Sequence, residues 1–229
     1  MVEVTGTPPS PQRPPLRIVC LIPSATDICV HLGLGDAVVG ITHCCDKTDD
    51  LPSSVTVVTE DQIHAASTTQ GDIHTKVVEN GKRAQDAIND ETFPLMTTDE
   101  IPTLYPINKA LLQEISPTLI ITQDLCHVCA PSSQTVFRAL KEAGIDAKVV
   151  LLTPMTLYDV IANMQQVADA AGISIRGKLL CDELRSNLEE LESTIAREKR
   201  SYETYDVPKK VLVMEWVDPP FCGGHWIRK

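Results

Sequence analysis

Aromatic residues are scarce in this chain, at 4% of 229 positions. Their placement is therefore informative: both tryptophans and one of three phenylalanines fall between Glu215 and Trp226. Basic residues are also short, with 20 Lys and Arg against 31 Asp and Glu, for a net charge of −11. That balance argues against nucleic acid and anionic membranes as partners, since both need a basic footprint. No apolar run approaches the ~20 residues of a membrane helix, so membrane insertion is not expected. The first fifteen residues, MVEVTGTPPSPQRPP, lack a basic region followed by an apolar core. They read as a disordered leader rather than a signal peptide, and imply a cytoplasmic, reducing location. In that setting the eight Cys are thiols rather than a disulfide framework. The chain also lacks a G-x-x-x-x-G-K phosphate loop, a G-x-S-x-G elbow and a convincing acid–base pair, so an enzyme is not expected.

What is present is an alternation of apolar runs and amphipathic stretches. Residues 17–22 (RIVCLI), 37–41 (AVVGI), 55–58, 118–122 (TLIIT) and 147–152 (AKVVLL) read as buried strands. Helical patterns lie between them, at Ala25–Leu32, Asp72–Ile88, Asn108–Ile115 and Gln134–Ala143, with Gly33 and Gly144 as stops. This order predicts an α/β fold with a Rossmann-like, largely parallel sheet. Residues 90–102 read as a surface insertion. After Pro154 two helices follow, broken at Gly172, and the second carries a stripe of Leu180, Leu184, Leu188, Leu191 and Ile195. Val211–Met214 reads as a further buried strand. The expected divisions are 1–15 leader, 16–153 first lobe, 154–209 helical linker with a long connector, and 210–229 the first strand and loop of an incomplete second lobe.

Several constellations carry chemistry. Pro23-Ser24-Ala25-Thr26-Asp27 ends the first strand and opens a helix, whose free N–H groups can hold a polar ligand edge while Ser24 or Thr26 caps it. His43-Cys44-Cys45-Asp46 follows the second strand, Cys126-His127-Val128-Cys129 a later one, and Cys222 and His225 lie in the terminal loop. Parallel strands bring such loops to one sheet edge. His43, Cys45, Cys126, Cys129, Cys222 and His225 are therefore candidate ligands for zinc or iron, since imidazole and thiolate suit both. A redox dithiol at Cys126 and Cys129 is a further reading. Trp216, Phe221 and Trp226 form an aromatic surface beside Gly224, where backbone can approach a ligand closely.

Three segments in this order, RIVCLIPSATDICVHLGLGDAVVGITHCCD, TQDLCHVCA and EWVDPPFCGGHW, resemble the cobalamin/iron-chelate family of periplasmic binding proteins, the substrate-binding components of ABC importers. Within it the likeness is to the cobalamin-binding-protein-like branch, from about Leu16 to Arg228. The resemblance implies two Rossmann-like lobes joined by one long rigid helix, with a corrinoid or metal chelate in the cleft between them. It also implies that the chain is C-terminally truncated relative to the family. The implied ligand contacts are Ser24, Ala25, Thr26, His43, Asp46, Tyr105, Cys126, Trp216, Phe221, Gly224, His225 and Trp226. The function expected is non-catalytic binding of a cobalamin-like corrinoid, and delivery to an ABC permease does not follow from the likeness. The alternative is a cytosolic thiol and histidine metal-binding protein or metalloenzyme.

Overall fold

The structure, a computed structural model, describes residues 14–92, 95–124, 130–201 and 210–222, with backbone alone at 65, 199–201, 215–216 and 221–222. Five parallel strands form the central sheet: β1 (Ile18–Cys20), β2 (Val38–Ile41), β3 (Thr56–Val57), β4 (Leu119–Gln123) and β5 (Lys148–Leu152), in the order β3-β2-β1-β4-β5. Ile18 pairs with Val38 on one side and Leu119 on the other. The chain steps outward from β1 to β3, then returns to lay β4 against the far side of β1. The sheet's topological switch point therefore falls between β1 and β4. The α/β fold expected from the alternation is present.

The helices are α1 (Pro23–His31), α2 (Gln70–Asn89), α3 (Lys109–Ile115), α4 (Ser133–Ala143), α5 (Leu157–Ala171) and α6 (Ser174–Ser201). Successive strand residues point to opposite faces. Ile18, Cys20, Leu119 and Ile121 accordingly pack with Ala25 and Cys29 of α1 and with Val167 and Ala168 of α5. Val19, Leu21 and Ile120 pack instead with Leu112 and Ile115 of α3 and with Val136 and Ala139 of α4. Both faces are covered, which is why β1 and the Leu119-Ile120-Ile121 part of β4 are apolar at successive rather than alternate positions. Burying each such Leu or Ile side chain contributes about 1.5–3 kcal/mol.

Helix ends follow the local chemistry. Asn108 Oδ1 accepts the Leu111 N–H at 3.0 Å, as the sequence predicts. Gly144 and Gly172 close α4 and α5 with φ of 66° and 81°. The start of α1 differs from expectation. Its N-cap is Ile22 with no side-chain cap, and Pro23 occupies the first turn, where a missing N–H costs nothing. Neither Ser24 nor Thr26 caps it.

Two further expectations are refined. Within 90–102, read as a surface insertion, residues 97–101 are anchored to the lobe: Thr98 and Ile101 are buried, and the Thr98 N–H donates to Glu142 Oε1 of α4 at 2.8 Å. The polar residues that suggested a loop serve as caps and ion-pair partners, including Lys109 Nζ to Asp99 at 2.6 Å and to Glu142 at 3.0 Å. The apolar run Val211–Met214 is not a buried strand. Val211 is 80% and Leu212 68% exposed, and the strand begins only at Met214. There β6 (Met214–Val217) pairs antiparallel with β7 (Pro220–Cys222), a tight ribbon rather than a member of a parallel sheet.

The long helix expected after Gly172 is present as α6, whose 28 residues span about 42 Å at 1.5 Å per residue. The preceding helix belongs to the lobe's own core, since Val167 and Ala168 of α5 are fully buried. The α5–α6 contact closes at Gly177, and Cys181 Sγ donates to Ile161 O at 3.2 Å. Along the α6 stripe, burial fades from Leu188 to Leu191, which is 55% exposed.

Candidate functional site

Three parallel strands end at the same edge of the sheet, and the residues just beyond them meet there. β2 runs into Thr42-His43-Cys44-Cys45-Asp46, β3 into Val58-Thr59, and β1 into Leu21-Ile22-Pro23. Thr42 and Thr59 are buried side by side, with hydroxyl oxygens 2.9 Å apart. Thr59 Oγ1 accepts the His43 backbone N–H at 3.0 Å and lies 3.0 Å from His43 Nδ1. The segment leading to α3 crosses this edge through a bridge between Thr59 and Ile107, which brings Tyr105 over the imidazole. The two rings stack with centroids 4.6 Å apart and planes inclined by 28°.

The hydroxyl geometry accommodates either neutral tautomer of the imidazole. In one, Thr59 Oγ1 accepts the His43 N–H and donates to Nδ1, with Thr42 donating to Thr59. Nε2 then carries the ring proton and donates to Cys44 Sγ at 3.0 Å. The opposite tautomer requires only that the two threonine hydroxyls turn, and it frees the Nε2 lone pair.

The electrostatics keep this group neutral. Desolvation lowers the His43 pKa, against the opposing carboxylate of Asp61. Desolvation raises the Cys44 thiol, helped by Asp61 and Cys45. It also raises Cys45, whose Sγ lies 3.1 Å from Thr26 Oγ1. A neutral imidazole beside a protonated thiol is the reverse of the thiolate–imidazolium pair that cysteine nucleophiles need.

A second group lies beside the first. Thr26, Cys44, Cys45 and Asp46 line a cavity of about 320 Å³ together with Pro23 and His31. Of the residues singled out in the sequence, the structure thus joins His43 with Tyr105, and Thr26 with Cys45 and Asp46. Ser24 is exposed and lies outside that lining. Ala25 is fully buried in the core and its N–H donates to Ile22 O, leaving neither methyl nor N–H for a ligand. The backbone of Trp216, Phe221 and Cys222 lies in the β6–β7 ribbon. Cys126, Cys129, Gly224, His225 and Trp226 lie outside the described residues. Among the described residues, no three His, Cys, Asp or Glu side chains come together as metal ligands would. Sequence reading missed Thr42 and Thr59. The available signal is a threonine directly after each of two adjacent apolar strands, at equivalent levels of the same edge.

No family model matches the chain, and no curated protein matches it. Solved structures do. A Staphylococcus epidermidis protein described as a possible iron-binding, periplasmic solute-binding protein matches with a TM-score of 0.50 at 19% identity, over 92% of this chain and 60% of the other. The periplasmic vitamin B12 binding protein BtuF of Vibrio cholerae matches with a TM-score of 0.53 at 17% identity, over 89% of this chain and 57% of the other. The likeness is one of fold: over the matched part the chain is folded like these two proteins. The chain spans about three-fifths of the length of these two structures.

Proposed function

We propose that this chain is a non-catalytic binding protein for a cobalamin-like corrinoid or a related metal chelate. The observation that carries the reading is the His43–Tyr105 stack at the C-terminal edge of the sheet. A flat, neutral, partly buried ring pair offers a face to a planar macrocycle at little entropic cost. His43 adds a neutral nitrogen that the threonine pair can present unprotonated to a cobalt or iron centre. The fold shared with solute-binding proteins supports the same reading. Trp216, Phe221, Gly224, His225 and Trp226 are proposed as further contacts on the strength of the EWVDPPFCGGHW segment. A reducing, cytoplasmic setting belongs to the proposal, and the free thiols of Cys20, Cys29, Cys44, Cys45 and Cys181 agree with it.

The test is native mass spectrometry of the chain under reducing conditions, with added hydroxocobalamin, before and after EDTA. The expected result is an adduct of corrinoid mass that survives EDTA and weakens about tenfold on His43→Ala or Tyr105→Ala, in line with the ~0.5–1.5 kcal/mol of a ring contact. An EDTA-sensitive mass of one zinc or iron without a corrinoid adduct would transfer the site to the thiol and histidine metal reading. Absence of any corrinoid adduct would end the proposal for this chain.

A further inference from the structure

Cys20 of β1 and Cys29 of α1 meet inside the layer between the sheet and that helix, with Sγ atoms 3.8 Å apart. Both are fully buried, and both are free thiols. A single buried cysteine is commonly a small apolar filler. Two in sulfur contact across the boundary of two elements have a further chemistry open to them, because a disulfide holds its sulfurs at about 2.0 Å. The remaining gap, about 1.8 Å, is within reach of side-chain rotation.

The surroundings favour closure. Cys20 is held by strand pairing on both sides, opposite Ile41 of β2 and Ile121 of β4. Its thiol already meets that of Cys29, and this contact is the leading cause that holds the Cys20 pKa well above the ordinary thiol value. Cys29 lies on a nine-residue helix whose start has no side-chain cap, so the first turn of α1 opens readily. That helix is also a cavity wall: Pro23, Thr26, Val30 and His31 line the space of about 320 Å³. Thr26 stands one turn before Cys29 on the same helical face. A water-sized oxidant in that cavity lies against the helix that carries Cys29.

We propose that Cys20 and Cys29 are a redox pair, a site of reversible modification that hydrogen peroxide closes and a small thiol reopens. In the first step one sulfur takes an oxygen from the peroxide, the O–O bond breaks and one water leaves. In the second, the other sulfur displaces that oxygen, the S–S bond forms and a second water leaves with the remaining thiol proton. Two thiols and one peroxide become one disulfide and two waters. Sulfur is oxidised and peroxide oxygen reduced. Closure ties the end of β1 to α1 and fixes the helix that carries Thr26 and Asp27 into the cavity wall. The inference does not rest on the chelate reading, because neither sulfur lines a candidate ligand site.

The experiment treats the native full chain with hydrogen peroxide, blocks the remaining thiols with N-ethylmaleimide in denaturant, and maps the peptides. Cleavage after Arg17 and before Asp27, Asp36 and Asp46 puts Cys20, Cys29 and the Cys44-Cys45 pair on three separate peptides. The expected result is a cross-linked pair of the Cys20 and Cys29 peptides, two hydrogens lighter than the free peptides together, that dithiothreitol separates. The same cross-link is expected when Cys44→Ser and Cys45→Ser are combined. The closed form of that double variant is to melt several degrees above its reduced form, a shift that adding Cys29→Ala abolishes. Recovery of Cys20 and Cys29 entirely as maleimide adducts after the peroxide step would overturn the proposal. So would their capture as sulfinic acids, or a disulfide from either one to Cys45. Should a variant fail to fold, the cross-link in the parent chain and its loss with dithiothreitol decide the question alone.

Discussion

Tyr105 lies flat against His43, 4.6 Å between ring centroids, although sixty-two positions separate them in the chain. The stack shields the imidazole, and desolvation is the leading cause of its lowered pKa. A base whose folded pKa lies below its unfolded value binds fewer protons when folded. Stability from this group is therefore complete above the unfolded value of ~6.5 and is lost as pH falls from there through the folded value. Urea unfolding at a series of pH values between 7.5 and 5 is expected to show this loss, and His43→Gln to flatten it. An NMR titration should find the His43 pKa moving back toward its ordinary value in Tyr105→Ala. An unchanged pKa in that variant would separate the stack from the shift.

The cysteines should react in an order set by exposure and then by pKa. Cys44 is exposed but its thiol is raised, Cys45 is half-buried and raised, and Cys20, Cys29 and Cys181 are buried. Among these five, iodoacetamide at pH 8 is expected to label Cys44 first, more slowly than it labels a free cysteine peptide, since the thiolate is the nucleophile. Cys20, whose Sγ lies 3.8 Å from that of Cys29, should label only on unfolding. Peptide mass mapping over time gives the order directly, and rapid labelling of Cys20 in the native chain would contradict the buried core.

Gly177 marks the closest approach of α6 to α5. A Cβ placed there would sit 2.3 Å from Ala168 Cβ, a distance no real pair adopts. Two effects oppose each other in Gly177→Ala. Helix propensity favours alanine by about 1 kcal/mol, while overpacking of a tight contact costs about 1–3 kcal/mol. Ala168 is fully buried and cannot yield, so the steric effect should win and the variant should melt lower. Gly71→Ala serves as the control, because nothing lies within 4 Å of its added methyl.

Arg176 ties the start of α6 to the end of α1. Its Nη1 donates to Leu32 O at 2.9 Å, where helix carbonyls lack partners. Gly33 sits directly beneath, at φ 65°, and an added Cβ would meet Nη1 at 2.5 Å. Arg176→Ala is expected to cost about 1 kcal/mol. Gly33→Ala should cost about 1 kcal/mol for its backbone conformation plus a contribution from displacing the guanidinium. The double variant should therefore cost less than the sum, a coupling that a denaturant double-mutant cycle measures. Strict additivity would show that the arginine moves aside freely.

The strands, most helix limits and the glycine stops were legible because each depends on local pattern: apolar runs for strands covered on both faces, 3.6-residue spacing for helices, and a positive φ that glycine tolerates best. The placing of the loop after β2, with His43 and Cys45, at the C-terminal edge of the sheet was legible too, since parallel topology carries successive strand ends there. The anchoring of residues 97–101 was not, because it depends on Glu142 and Lys109 arriving from α4 and α3. The exposure of Val211–Met214 was not either, because composition states that a segment is apolar and not what lies against it.

The sequence by itself thus determined an α/β lobe with a largely parallel sheet and the edge to which its strand-end loops go, since hydrophobic period and right-handed parallel connections leave few other arrangements. Tertiary structure alone decided which side chains meet on that edge. Tyr105 reaches His43 through a bridge between Thr59 and Ile107, Cys44 rather than Cys45 faces the imidazole, and Ala25 turns into the core. The physical reason is that such contacts depend on backbone register and side-chain direction across distant segments, where a shift of one residue exchanges the face presented.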